Sequence, residues 1–419
     1  MLFGILAGFV IYQIVAEVVA RREERRWACD VVPRTTHWNC ETPTPTTVGS
    51  ATAIADRTEM TPTHWKGWRE VRVARIIDES PDCRSFRLEA MDGSALPPFK
   101  AGQSILVRMA VGDSEKKVSR CYSLSGGTAE PYYRITVKRV PEGQLSNALQ
   151  DGLSQGDVLE IQAPRGRFHS QPRHRDEPLV LIAAGIGITP MLAMLLENLE
   201  QTPSRRVHLF YQLRSPDHAP FLKLLRKVAT ERAGSLPVQL HVFFSRPDLM
   251  AIQHPDTEGR VDARQILERV GTVTGEYMIC GPDAFMTSLA EGLVVGGVKA
   301  DHVQYESFGG KAAGVGAVPV DREPHDHVGD ESAEYHVVFN DSQDAATWTP
   351  SRGTLLDLAE ESDVEVEFAC RTGSCGACVC RLKAGQVAYR ETPEHEVHEG
   401  EVLMCVARPT SDVTIETSP

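Results

Sequence analysis

Three rhythms of apolar and polar residues follow one another along the chain, after an opening stretch that has none. Residues 2–20, LFGILAGFVIYQIVAEVVA, are almost continuously apolar, broken only by Gln13 and Glu17. As a helix this run would reach roughly 28 Å, close to the hydrocarbon thickness of a bilayer. Arg21, Arg22, Arg25 and Arg26 follow it, and no basic residue precedes it. That asymmetry predicts a single-span anchor over 1–26 with all later residues on the cytoplasmic side of the inner membrane. A secretory signal would carry its positive charges before the apolar run. A buried or partner-bound helix is the alternative, and would leave the protein cytoplasmic. Residues 27–64 are rich in Thr, Pro and polar residues and read as a linker in which Cys29 and Cys40 are free thiols.

From Trp65 the rhythm becomes short alternating runs. REVRVARII, CRSFRLEA, QSILVRMA, YRITVKRV and DVLEIQAP predict strands at antiparallel-barrel spacing over 65–172, with no long helical pattern among them. Over 173–310 strand and helix patterns alternate. PLVLIAAG precedes ITPMLAMLLENLEQ, RVHLFYQL precedes HAPFLKLLRKVA, VQLHVFFS follows, and EYMICG precedes AFMTSLAEGLVVGG. Such alternation predicts a parallel sheet covered by helices on both faces. Residues 311–333, rich in Gly, Ala, Asp and His, read as a second linker, and 334–419 form a small terminal domain opening on the strand-like YHVVF. The predicted fold class is therefore multidomain: an antiparallel β-barrel, a parallel-sheet α/β domain, a small α+β domain and an N-terminal hydrophobic helix.

Charge removes one function class. The net charge of −13 argues against a nucleic-acid partner, which requires a basic face. Cysteine placement adds another constraint. Five of ten lie between Cys370 and Cys405, a clustering that points to metal chemistry rather than to a disulfide framework.

Cys370, Cys375 and Cys378 follow the spacing C-x4-C-x2-C, with Cys405 downstream in LMCVARP. Four thiolates in that pattern hold a plant-type [2Fe–2S] cluster. Gly373 and Gly376 permit tight backbone turns that aim N–H groups at cluster sulfurs. Zinc also suits four thiolates, but its ribbons show two close C-x2-C knuckles. Together with the preceding TLLDLAEESDVEVEF, the region resembles plant-type ferredoxins over its whole length, which implies a β-grasp fold. Cys380 reads as a buried neighbour.

Arg120-Cys121-Tyr122-Ser123 resembles the R-x-Y-S flavin segment of the ferredoxin–NADP reductase superfamily, which implies Arg120 for a phosphate, the Tyr122 phenol beside the flavin and the Ser123 hydroxyl near its N5. VKRVPEGQLSNAL resembles that superfamily's second flavin segment, which implies that Gly143, Gln144, Leu145 and Ser146 present backbone donors to a pyrophosphate with Lys138 nearby. Gly185-Ile186-Gly187-Ile188-Thr189-Pro190 comes after a buried strand and opens a helix, a geometry suited to a dinucleotide. These motifs, with Cys280-Gly281-Pro282 after a later strand, resemble the ferredoxin–NADP reductase superfamily, and 65–309 is most similar to the reductase part of flavohaemoglobins.

That resemblance implies FAD in preference to FMN, and NADH or NADPH as donor. Arg214, Ser245 and Arg246 at strand ends lean toward a 2′-phosphate. It also places Cys280, Glu306 and Phe308 beside the nicotinamide and flavin, so that Ser123, Cys280, Glu306 and Phe308 are the candidate catalytic residues. The implied activity is an NAD(P)H-dependent oxidoreductase that moves electrons through the flavin to the cluster and on to a protein acceptor. An oxygenase, hydroxylase or desaturase is the expected acceptor. The alternatives are quinone, a hybrid-cluster or nitric-oxide-related partner, or a redox-sensing scaffold with vestigial cofactor sites.

Overall fold

The computed structural model describes residues 65–417 apart from 66, 113–116, 171–176, 203, 233–237, 247–255, 307, 309–314, 318–332, 341–344, 369, 372, 374, 390–392 and 394. The predicted anchor and first linker lie outside the described residues, as does most of the second linker. Among the described residues no helix is long and apolar enough to cross a membrane.

The first unit is an antiparallel sheet of β1 (Arg69–Ser80), β2 (Cys83–Ala90), β3 (Ser104–Ala110), β4 (Lys117–Ser123), β5 (Tyr133–Lys138) and β6 (Val158–Ile161), in the order β4-β3-β6-β1-β2-β5. A bridge from Leu124 to Ile135 joins the two edges and closes the barrel. Alternate residues Val71, Val73, Phe86, Leu88, Ile105 and Val107 fill its interior. The R-x-Y-S segment is strand β4, and a nine-residue helix α1 (Gln144–Gly152), which the sequence reading left unassigned, follows Gly143. Leu145 and Leu149, four apart, seat that helix on the barrel core.

The second unit is a seven-stranded sheet of β7 (Leu179–Ala184), β8 (Val207–Leu213), β9 (Val238–Phe244), β10 (Thr257–Glu258), β11 (Glu276–Cys280), β12 (Val303–Glu306) and β13 (Val315–Ala317). Its order is β10-β9-β8-β7-β11-β12-β13, parallel except for β13. Helices α2 (Ile188–Gln201) and α3 (Leu222–Arg232) meet one face, α4 (Ala263–Val270) and α5 (Asp283–Val295) the other. Along β7, Leu179, Leu181 and Ala183 join the first core and Val180 and Ile182 the second. That two-sided burial is why the strand reads as unbroken hydrophobic residues. The chain runs outward from β7 to β9 and returns to β11, so the crevice at the carboxyl ends of β7 and β11 is the topological switch point.

The third unit pairs β14 (Tyr335–Phe339), β15 (Ala346–Trp348), β16 (Val379–Ala384), β18 (Glu401–Leu403) and β20 (Val413–Glu416) in the order β15-β14-β20-β16-β18. A side ribbon joins β17 (Val387–Tyr389) to β19 (Ala407–Pro409). Helix α6 (Leu355–Glu361) buries Leu355, Leu356, Leu358 and Ala359 against the sheet. It starts with a capping box in which Thr354 and Asp357 satisfy each other's backbone N–H groups.

The barrel and the α/β unit are joined through a buried ionic knot. Arg205 Nη2 lies 2.9 Å from Glu276 Oε2, Nη1 donates to Ser170 Oγ at 3.2 Å, and Nε donates to the Glu177 carbonyl at 2.9 Å.

Candidate functional site

Strand β4 presents the first part of the site. Tyr122 is half-buried against the barrel core, and burial pushes its phenol well above the usual range. Ser123 is 6% exposed, and its Oγ is buried with no hydrogen-bond partner among the described residues. A buried hydroxyl left unpaired costs free energy, so this position suits a ligand that takes the bond. The flavin expected beside Ser123 supplies such a group. Arg120 is exposed; its Nη1 donates to the Ser119 carbonyl at 2.7 Å, and its guanidinium lies 5.4 Å from the Phe368 ring centroid of the third unit.

A cleft of about 530 Å³ opens between β3 and α1, lined by residues that include Met109, Gly143, Gln144 and Asn147. Gly143 is fitted closely there: a Cβ would stand 2.5 Å from Ser146 Oγ and 3.1 Å from the Val140 carbonyl oxygen. Ser146 Oγ accepts from the Val140 N–H at 3.3 Å, which fixes the turn ahead of the helix. Leu145 points into the barrel core, and Lys138 is exposed with Nζ 3.6 Å from Asp82. Asn147, which lines the cleft, has a second buried polar atom, Oδ1, without a partner among the described residues. The sequence reading missed Asn147; the i+4 step from Gly143 into a helix was the available signal.

At the switch point, Gly187 packs on the end of β11, where a Cβ would lie 2.2 Å from the Cys280 carbonyl oxygen. Gly185 has φ +55 with open space around its Cβ position, leaving room for a ligand at the helix N-terminus. Thr189 and Pro190 are buried in the first turn of α2, Thr189 Oγ1 donating to the Ile186 carbonyl at 3.0 Å. They shape the turn rather than face the crevice. Cys280 is fully buried and pairs across strands with Glu306; burial first and the Glu306 carboxylate second push its thiol well up, which keeps it neutral. Gly281 adjoins Ala184 across the crevice, its Cβ position 2.8 Å from that residue's Cβ. Phe308 is 45% exposed and so is not simple core. Arg214 and Arg246 are both exposed at neighbouring strand ends, the Arg246 N–H donating to the Arg214 carbonyl at 2.9 Å beside Ser245.

The four spaced cysteines converge in the third unit. Cys375 adjoins Cys370, and Cys405 adjoins Cys378. Backbone N–H groups already aim at the sulfurs: Cys375 at Cys370 Sγ at 3.4 Å, Ala377 at Cys375 Sγ at 3.5 Å, Cys405 at Cys378 Sγ at 3.4 Å. Such donors stabilise thiolate sulfur. The neighbouring Cys370 and Cys378, and then burial, push the Cys405 thiol up. Among the described residues no three His, Cys, Asp or Glu side chains form a group close enough to hold a metal ion as they stand. Gly373 and Gly376 adopt φ +76 and +75, as the loop reading expects. Cys380 is buried in β16. Arg371, a non-glycine residue at φ +55, is held by ion pairs to Asp357 and Glu360 of α6.

Comparison with known proteins agrees with this geometry unit by unit. Residues 70–170 match the Oxidoreductase FAD-binding domain family, 181–291 the Oxidoreductase NAD-binding domain family and 339–410 the 2Fe-2S iron-sulfur cluster binding domain family. The ferredoxin reductase component of 3-ketosteroid-9-alpha-monooxygenase from Mycolicibacterium smegmatis is 30% identical over 354 residues, which span 82% of this chain and 95% of that protein. The chain belongs to that family of ferredoxin reductases. The solved phthalate dioxygenase reductase covers 84% of the reductase and is itself covered over 98%, at 26% identity and a TM-score of 0.51. A flavohemoprotein of Chromobacterium violaceum is 37% identical over 254 residues, but the reductase spans only 61% of its length. The reductase is thus an NAD(P)H-dependent oxidoreductase that uses FAD, a nicotinamide donor and a [2Fe–2S] cluster.

Proposed function

We propose that the reductase is the electron-supplying component of an oxygenase system, taking electrons from NAD(P)H and delivering them to a terminal oxygenase. The observation that carries this reading is the join between flavin strand and cluster loop. Arg120 of β4 and Arg371 of the cluster loop lie 5.4 and 4.3 Å from the same Phe368 ring, and Arg165 Nη1 contacts His395 Nδ1 at 3.3 Å. The two sites are thus neighbours within one chain, which is what relay from a two-electron donor to a one-electron acceptor needs. The oxygenase is supported by the names of the monooxygenase and dioxygenase reductases that the chain matches nearly end to end.

When bound, the flavin accepts hydride from the nicotinamide and passes single electrons to the cluster. The chain's own residues bind and orient. Gly185 and the α2 N-terminus leave room for the dinucleotide, and buried Cys280 and Glu306 form the floor where its nicotinamide end would lie. Ser123 Oγ offers a hydrogen bond at the flavin edge. Cys370, Cys375, Cys378 and Cys405 would hold the two irons. We further propose that 2–20 anchor the reductase in the inner membrane with its catalytic units in the cytoplasm, a reading supported by the arginines that follow. Equal recovery of the full chain and of one starting at Met60 in the soluble fraction would sink that part.

The deciding experiment is anaerobic titration with NADH and with NADPH, followed by absorbance and EPR, then addition of candidate oxygenases. Flavin bleaching with a rhombic reduced-cluster signal, discharged on adding an oxygenase, is expected. A reduced cluster that no oxygenase discharges, yet a quinone does, overturns the oxygenase assignment.

A further inference from the structure

The cluster loop is seated on the barrel at two points, and the second of them belongs to no cofactor motif. At the first, the Phe368 ring, just ahead of Cys370, lies 5.4 Å from the guanidinium carbon of Arg120 and 4.3 Å from that of Arg371. At the second, Arg165 Nη1 lies 3.3 Å from His395 Nδ1. Both of these side chains are half-buried. Arg165 is held rigidly from the barrel. It exchanges both backbone hydrogen bonds with Ser104 at 2.9 Å, and Ser104 pairs on its other side with Ser123 of β4. Residues opposite one another across antiparallel strands share a face. Arg165 and Ser123, the expected flavin contact, therefore rise from one side of the barrel, two strand spacings or about 10 Å apart. His395 is held from the cluster loop. Its backbone N–H donates to the Gly373 carbonyl at 3.0 Å. Its imidazole occupies the space over Gly376, the residue after Cys375, where a Cβ would stand 2.3 Å from the ring's Cε1 and 2.5 Å from Nδ1. Gly376 is thus required both by its φ of +75 and by the ring that covers it.

We infer that His395 is a positioning residue for electron transfer: bonded to Arg165 and seated on Gly376, it fixes how far the cluster loop stands from the flavin face of the barrel. This rests on the electron-relay reading above. The Phe368 contact alone would leave the loop free to hinge, and a second contact on a different segment of the loop removes that freedom. An imidazole suits the place because it is flat enough to cover a glycine and carries a ring nitrogen that accepts; the guanidinium opposite can only donate. One electron at a time leaves the reduced flavin and one ferric iron becomes ferrous. His395 and Arg165 carry neither electron nor proton. They act on the separation alone, so hydride transfer from NADH to the flavin, which comes before their step, does not depend on them.

The test uses the full chain, purified anaerobically with flavin and cluster in place, as wild type, His395→Ala, His395→Asn, Arg165→Met and the double variant of His395→Ala with Arg165→Met. Stopped-flow absorbance after mixing with NADH separates flavin bleaching from cluster reduction. EPR of half-reduced samples reports how strongly the reduced cluster relaxes the flavin radical, a measure of their separation that does not depend on turnover. His395→Ala and Arg165→Met are each expected to slow cluster reduction on the order of tenfold and to weaken that relaxation, with flavin bleaching unchanged. The double variant is expected to be no slower than either single one, since the two residues form one contact. His395→Asn, whose carboxamide oxygen takes the place of Nδ1, is expected to recover most of the rate. Wild-type cluster reduction and relaxation in Arg165→Met, a change outside the cluster loop, overturns the inference even if His395→Ala fails to hold its cluster. Multiplied losses in the double variant overturn it too, because the residues would then act separately. A wild-type chain whose flavin bleaches without any cluster signal overturns the relay reading itself, and this inference with it.

Discussion

Gly187→Ala isolates what the switch point does. Gly187 has φ −59, which any residue adopts, so no backbone strain enters. Space alone decides. The new Cβ would stand 2.2 Å from the Cys280 carbonyl oxygen, 2.6 Å from its carbon and 3.0 Å from Gly281 N. Ordinary contact begins at about 3.5 Å, so the end of β11 and the G-x-G turn must part by about 1 Å. Those two segments are the ones proposed to seat the nicotinamide, and a 1 Å misplacement there costs on the order of 100-fold in rate. The assay is stopped-flow bleaching of the flavin by NADH under anaerobic conditions, with dithionite reduction of flavin and cluster as the control for intact cofactors. Gly185→Ala is the companion: nothing lies within 4 Å of its Cβ position, so it perturbs mainly through its φ of +55 and through the cradle it fills. It is expected to weaken nicotinamide binding while leaving Cys280 in place. A Gly187→Ala rate within threefold of wild type, in protein that melts normally, refutes the reasoning, since the strand ends would then not bear on hydride transfer.

Ser123→Ala removes the buried, unpartnered hydroxyl; flavin reduction by NADH is expected to slow about tenfold, read by the same stopped-flow trace, with unchanged flavin content. Arg205→Met leaves the Glu276 carboxylate buried without its guanidinium, and the nicotinamide unit is expected to lose about 3–5 kcal/mol, read as a lower denaturant midpoint. His208 and His241 lie with ring nitrogens 3.4 Å apart on adjacent strands, and burial pushes each down to about 4. The unfolded chain takes up these protons near pH 6.5 while the folded pair stays neutral. Their contribution is therefore complete above about pH 6.5 and is lost as pH falls toward 4, on the order of 3 kcal/mol for each imidazole. Urea midpoints at pH 7.5 and pH 5 measure it, and His241→Phe is expected to flatten the dependence; an unchanged slope counts against the assignment.

What was legible follows from how local each signal is. Ile188–Gln201 was readable to the residue because its apolar positions recur at helical spacing between a G-x-G turn and a polar end. The cysteine loop was readable because its ligands sit within nine residues plus one. Helix α1 was hidden by its motif: Gly143 and Ser146 read as pyrophosphate donors, while Leu145 and Leu149 were already seating a turn of helix on the barrel. Helix α4 went unassigned although Asp262 and Gln265 form a capping box, because eight residues carry too few apolar repeats to show a period.

Contacts between units left no trace of that kind. Nothing local marks Arg165 or His395, which meet across 230 residues. Motif reading recovers cofactor sites because each cofactor is held by a few short segments. Passage of electrons from one cofactor to the next is a property of how segments face one another. A residue that joins two sites must therefore look ordinary in its own stretch of sequence, as Arg165 does in the barrel and His395 does beyond the cluster loop.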